Sequence, residues 1–286
     1  MTKRTTIVLL LFPTISVLVL LFLGGLAMGL MQSFGYMPLI GMNDFNIDAY
    51  GSLFGDQEFL LSLALTLWIS ISSTLLTMVL AIITALAFRK TFSGKRIANF
   101  LYQFPITIPH IVIAVGTLLV FSQSGMAARF AHQAGLIADQ NQFPVVVSDK
   151  LGLGIIYVYL WKQIPFVGVI VLSILQAMGN NYEELARSLG ASKWQAFRHV
   201  LLPTIIPGIL PASIICFSFT FGSYEVPFLL GRPYPTVISV LAMRLYQDVD
   251  LNARPQAMAT AVFMAAFISI MVVLYKRLLG KMSGRR

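Results

Sequence analysis

The sequence predicts an all-α, polytopic membrane protein of six transmembrane helices, and three observations carry that fold class. The chain is 57% hydrophobic and only 11% charged, with a mean hydropathy of +0.82, which leaves too little polar surface to clothe a water-soluble globule. Its apolar residues gather into windows of about 20 residues or more, the length a helix needs to cross about 30 Å of hydrocarbon. Lysine and arginine collect in alternate intervals between those windows, as expected when basic flanks stay on the cytoplasmic side.

In chain order the windows run from Ile7 to Met31, Phe59 to Phe88, Phe100 to Phe121, Gly154 to Met178, Ile205 to Leu230 and Ala257 to Leu274. The first follows Lys3 and Arg4, a basic start shared with cleaved signal peptides. Its apolar run exceeds a signal h-region, so a retained helix is expected. The interval from Gly35 to Gln57, with Pro38, Gly41, Asn43, Asp44, Asn46 and Asp48, is turn-rich. Pro105 and Pro109 bracket the start of the third window, and a short helix around Ala127 to Leu136 is expected before the fourth. Pro165 interrupts the fourth window, while Pro207, Pro211 and Pro227 punctuate the fifth. Proline removes a backbone donor and bends a helix, which a membrane tolerates where neighbours or water satisfy the freed carbonyl. Such bends serve either a cavity between helices or packing alone. The whole chain, 1–286, reads as a single domain.

Placing the N-terminus inside puts Lys3, Arg4, Arg89, Lys90, Lys95, Arg96, Arg187, Lys193, Arg198 and the tail from Lys276 to Arg286 in cytoplasmic segments. The other face keeps Arg129, Lys150, Arg232, Arg244 and Arg254 and collects Asp44, Asp48, Asp56, Glu58, Asp139, Asp149, Asp248 and Asp250. Both termini, and the polar segment 179–204, are therefore expected in the cytoplasm. The net charge of +9 is accounted for by these flanks, and no nucleic-acid recognition module accompanies it. The single cysteine, Cys216, falls inside an apolar window, so no disulfide forms within the chain.

The polar segment carries two helix-start signals. Asn181 followed by Glu184 has the form of a capping box, and Ser192 followed by Gln195 repeats it, with Gly190 supplying the turn between. The expected shape is helix, glycine elbow, helix, ended by Pro203. Leu185, Ala186 and Leu189 offer an apolar face, Ala186 and Gly190 permit close approach, and Glu184 and Arg187 supply rim charges, with Ala191 completing the set. Glu184 is equally suited to act only as a helix cap.

Catalytic signatures are missing. The sequence has no phosphate-binding loop, no His-Glu-x-x-His motif and no Gly-x-Ser-x-Gly elbow, and His110, His132 and His199 are too scattered for a metal set. Two ionisable residues stand inside apolar windows, where their cost makes them candidates for function: Lys162, followed by Gln163, and Glu225, preceded by Tyr224. These four either line a translocation path, Glu225 favouring a cation, or Lys162 and Glu225 neutralise one another as a structural pair.

Glu184-Leu-Ala186, three residues, Gly190, nine residues and Val200-Leu-Leu202-Pro203 resemble the Glu-Ala-Ala loop of permease subunits of binding-protein-dependent ABC importers. The departures, Leu185 for alanine and Val200 for isoleucine, keep polarity. With six spans and the loop between the fourth and fifth, the resemblance to a type I ABC importer permease extends over nearly the whole chain. Gly222-Ser-Tyr-Glu-Val-Pro-Phe-Leu-Leu-Gly231 looks like the corresponding stretch of the spermidine/putrescine branch, whose relatives carry thiamine, ferric iron, sulfate, molybdate or phosphonates. The resemblance implies a multi-pass protein of the bacterial cytoplasmic (inner) membrane whose cytoplasmic coupling helix grips an ATPase. It also implies a second permease subunit, similar or identical, and an extracytoplasmic solute-binding protein. ATP-Mg would bind the partner ATPase, leaving this chain non-catalytic and without a cofactor, metal or nucleic acid of its own. An ion-gradient-driven secondary transporter is the alternative of a different class, and it leaves the capped segment without a purpose.

Overall fold

The computed structural model describes residues 3–89, 94–179 and 181–283. Lys90, Arg285 and Arg286 from the charge count lie outside the described residues, as do the side chains of Lys3, Arg4, Lys281 and the expected cap Asn181. The helices are α1 (Lys3–Ser33), α2 (Asp48–Gly55), α3 (Gln57–Arg89), α4 (Lys95–Thr107), α5 (His110–Phe121), α6 (Met126–Gln133), α7 (Leu153–Met178), α8 (Asn181–Ser188), α9 (Lys193–Ala196), α10 (Leu202–Gly222), α11 (Glu225–Leu230), α12 (Ile238–Tyr246) and α13 (Arg254–Ser283). Among the described residues no strand forms beyond one isolated bridge, Met37 to Met42. Six helical stretches are long and apolar enough to cross a membrane: Leu9–Ser33, Gln57–Arg89, His110–Gln133, Leu153–Met178, Lys193–Gly222 and Leu251–Arg277.

Four expectations from the prolines need correction. The third window is not one helix from Phe100 to Phe121: Ile108 is extended (φ −83°, ψ 133°) and divides α4 from α5. Pro109 causes this, because its ring disfavours helical backbone in the residue before it. Pro165 does not interrupt the fourth window; α7 runs through it, with the ring buried. The fifth window is not continuous from Ile205 to Leu230, since Ser223 is extended (ψ 135°) and α11 starts afresh at Glu225. Nor does Pro203 end the helix that starts at Lys193. A π-helical turn, Phe197–Leu201, joins α9 to α10, with the Leu202 N–H reaching back to the Phe197 carbonyl. Pro203 has no N–H to offer, and in a plain α-helix its ring would press on the carbonyl four residues earlier; the wider turn accommodates it.

The chain divides into two compact units, Met1–Leu60 with Ile238–Arg286, and Leu61–Val237. In the first, α13 packs against α1, α2 and α12. Phe54, Phe59 and Phe263 meet edge to face with centroids 5.5–5.7 Å apart, an arrangement that aligns ring edges with ring faces. Arg244 and Glu58, expected on one side of the membrane, form an ion pair at 2.6 Å.

The second unit is centred on α7, which packs against α4, α5, α10 and α11. Its core joins Ala81 and Ala85 of α3, Val167, Val171, Leu172 and Leu175 of α7, and Ile205, Ile209, Ala212 and Cys216 of α10. Cys216 is thus packed as a small apolar side chain. Lipid is as apolar as leucine, so close approach rather than water exclusion holds such helices together. Gly168 shows this: a Cβ there would collide with the Tyr102 hydroxyl. That hydroxyl shares a hydrogen bond with Thr84 Oγ1 (2.9 Å) and donates to the Ile164 carbonyl (3.1 Å), tying α4 to α3 and α7.

Candidate functional site

The segment between α7 and α10 folds as two short helices around a glycine. Gly190 is left-handed (φ +89°), its N–H donates to the Arg187 carbonyl at 3.0 Å, and the Ala191 N–H donates to the Ala186 carbonyl at 3.0 Å. This crossed pair closes the C-terminus of α8, and only glycine adopts the required conformation without strain. Ser192 starts α9: its Oγ accepts from the Gln195 N–H (3.2 Å) and its own N–H donates to Gln195 Oε1 (2.8 Å), the expected reciprocal capping box. The two helices therefore have a fixed elbow, with Leu185 61% and Leu189 82% exposed on its outside. Glu184 and Arg187 are exposed beside them, and Ala186 and Ala191 are half-buried.

The anchor of this segment was hidden in the sequence. Arg89, at the C-terminal end of α3, pairs with Glu183 at 2.6 Å and donates from Nη2 to the Gly179 carbonyl at 2.8 Å. Ninety-four positions separate the two charges, so no local pattern links them; the charge count had marked Arg89 only as a topological flank. The guanidinium also sits at the negative end of α3, where a cation is favoured.

The residues expected to line a pathway are only partly brought together. Lys162 and Gln163 are 8% and 6% exposed and share a cavity of about 230 Å³ with His110, Phe166 and Phe219. Gln163 bridges helices, accepting from Thr77 Oγ1 of α3 (3.3 Å) and donating to Thr220 Oγ1 of α10 (2.9 Å). Lys162 donates to the carbonyls of Ile106 (3.0 Å) and Ile108, the groups freed where α4 ends. Tyr224 and Glu225 do not line this cavity. Tyr224 stacks on Phe228 at 5.1 Å, and Glu225 is exposed in the first turn of α11, where the helix dipole favours an acid. No ion pair joins Lys162 to Glu225 among the described residues, so the structural-pair alternative is not formed. His110, which its scatter from the other histidines had set aside, packs against Phe219 with centroids 4.5 Å apart and rings tilted by 32°, and forms part of the cavity wall.

The family described as "Binding-protein-dependent transport system inner membrane component" matches residues 77–284. The chain is 30% identical over 221 residues to the inner membrane ABC transporter permease protein YdcU of Escherichia coli (strain K12), covering 74% of this chain and 70% of that one. It is 27% identical over 199 residues to the sulfate transport system permease protein CysT of Salmonella typhimurium (strain LT2), covering 69% and 68% respectively. In fold it resembles a chain of a bacterial ABC transporter involved in the import of the acidic polysaccharide alginate, with a TM-score of 0.78, 21% identity and 96% of both chains covered. Six membrane-length helices, the glycine-elbowed helix pair and these matches agree: the chain belongs to the family of binding-protein-dependent transport system inner membrane components, the permease subunits of ABC importers.

Proposed function

We propose that residues 1–286 act as one permease domain, forming half of the translocation path of an ATP-driven importer and taking the ATPase on Glu184, Leu185, Ala186, Arg187, Leu189, Gly190 and Ala191. The observation that carries this reading is the α8–α9 elbow: leucines exposed on its outer face, closed at Gly190, capped at Ser192 and tied to α3 through Arg89 and Glu183. A rigid, apolar, externally presented element is what transmits rigid-body motion from one subunit to another. ATP-Mg and its hydrolysis belong to the ATPase. The other partners are a second permease subunit, similar or identical, and an extracytoplasmic solute-binding protein. Both termini and the elbow face the cytoplasm, as the distribution of Lys and Arg supports.

For the solute, the exposed carboxylate of Glu225, in no ion pair among the described residues, supports a cation of the polyamine class, such as spermidine or putrescine. The sulfate permease among the relatives supports an anion as the second reading, with Lys162 as the residue that favours it.

The test is reconstitution of the chain with its copurifying ATPase and solute-binding protein, followed by solute-stimulated ATP hydrolysis with spermidine and with sulfate. Leu189→Glu, which sets a charge in the middle of an apolar interface, is expected to weaken ATPase association by about tenfold or more. Glu184→Arg is expected to weaken it as well. Unchanged association and uptake in both variants would remove the docking assignment, and uptake without any ATPase would favour a secondary transporter.

A further inference from the structure

A second cavity, of about 950 Å³, adjoins the face just described: it shares Glu184 and Arg187 with that face, while Leu185, Ala186, Leu189, Gly190 and Ala191 do not line it. Its floor is apolar, made by Ile83 and Leu86 in the last turns of α3 together with Phe197 and Leu201. Its rim is charged, carrying Arg89, Glu183, Glu184, Arg187 and Lys193, with Trp194 at the edge, 64% exposed. Arg89 and Glu183 neutralise one another. That leaves Arg187 and Lys193 against Glu184, with no ion pair among the three. Lys95 adds a further cation to the same corner, its Nζ lying 3.5 Å from the Arg89 carbonyl.

The level of the groove follows from the length of α3. A helix of 33 residues is about 50 Å long at 1.5 Å per residue, well beyond about 30 Å of hydrocarbon. Its apolar run closes at the basic flank Arg89, so its final turns are expected where hydrocarbon gives way to headgroups, the depth at which tryptophan is enriched and at which basic pockets meet anionic lipid. An apolar floor below a rim with surplus positive charge matches one kind of molecule: acyl chain beneath, phosphate above. An ATPase surface would seek the leucines, which do not line the groove, and free phosphate would leave the floor uncovered.

We infer that this groove holds an anionic phospholipid of the adjoining leaflet, with an acyl chain along Ile83 and Leu86 of α3 and the phosphate held by Arg187 and Lys193 next to Trp194. The inference rests on α3 spanning the membrane and not on the importer reading, so a failed ATPase assay leaves it untouched.

Trp194 supplies the probe. The full chain carrying Trp68→Phe and Trp161→Phe, placed in lipid nanodiscs, is titrated with brominated phosphatidylglycerol or with brominated phosphatidylcholine at equal bromine content. The anionic lipid is expected to quench Trp194 at lower mole fraction than the neutral one. Lys193→Gln is expected to cut that preference about fivefold, the effect of one basic residue at an anionic surface. Equal quenching by both lipids, or a preference that survives Lys193→Gln, would overturn the proposal. So would loss of the preference once the ATPase is bound, which would give the groove to that subunit. Because Trp68 donates a hydrogen bond to the Leu151 carbonyl, native mass spectrometry of the unsubstituted chain provides a second reading. Phosphatidylglycerol adducts should outlast phosphatidylethanolamine adducts, and should lose that advantage in Lys193→Gln; equal retention would overturn the proposal.

Discussion

Single positions fix the elbow, and each does so for a separable reason. Gly190 has nothing within 4 Å of where a Cβ would stand, yet its φ is +89°. Gly190→Ala therefore meets no clash, and its expected cost of about 1–2 kcal/mol is conformational. Gly190→Asn should cost less, since asparagine tolerates the left-handed region; thermal unfolding of the two variants in detergent checks the order. Arg89 and Glu183 are coupled through space. Glu183→Ala takes the carboxylate from a guanidinium that is only 12% exposed, leaving its bond to the Gly179 carbonyl in place, and a loss of about 1–2 kcal/mol is expected. The exchange Arg89→Glu with Glu183→Arg should recover part of it, and a double-mutant cycle isolates that term. Lys162 works differently: its ammonium serves two carbonyls at a helix break. Lys162→Met leaves those carbonyls without a charged donor, and faster amide exchange over 106–112 is the expected signature.

At the level of elements, α7 is the member against which its unit is assembled, and its contacts are close rather than bulky. Gly168→Ala is expected to destabilise the chain by driving a methyl group into the Tyr102 hydroxyl, at about 1–3 kcal/mol for overpacking. Adding Tyr102→Phe should relieve the worst of the clash, with the ring carbon Cζ still 2.9 Å from the new methyl group, while losing the bonds to Thr84 and Ile164, so the double variant should melt above Gly168→Ala and below the parent. Element boundaries also show where sequence reasoning reached its limit. The capping box at Ser192 and the turn at Gly190 were legible because each depends on residues within a few positions. The prolines were not, because the outcome at each depends on its surroundings. Pro109 divides two helices whose loose carbonyls are taken by a lysine more than fifty positions away, whereas Pro165 lies buried within an uninterrupted helix.

For the whole molecule, the apolar windows foretold six membrane-length helices because burial in lipid is written in composition alone. The division into two units was not legible: the first joins chain segments from the two ends of the sequence, and nothing local marks such a pairing. The proposed orientation is tested with an impermeant maleimide on intact cells in a Cys216→Ala background. Asn141→Cys, on the loop before α7, should be labelled, and Arg198→Cys should react only after the membrane is opened. The reverse pattern would invert the topology.

The π turn at Phe197–Leu201 also sets an angle. Each residue of an α-helix advances the direction of its side chains by about 100°. One extra residue in a turn therefore rotates everything on the α9 side by that amount relative to the face of α10 that meets α7. Removing Arg198 together with Pro203→Ala, whose proline ring needs the wider turn, would restore plain α-helical winding and swing the outer leucines about a quarter of a circle away from their present heading, with every side chain in them unchanged. Under the proposed docking role, that double change should insert and fold while failing to copurify the ATPase, which would make the helical phase at this turn as specific a requirement as any side chain of the elbow.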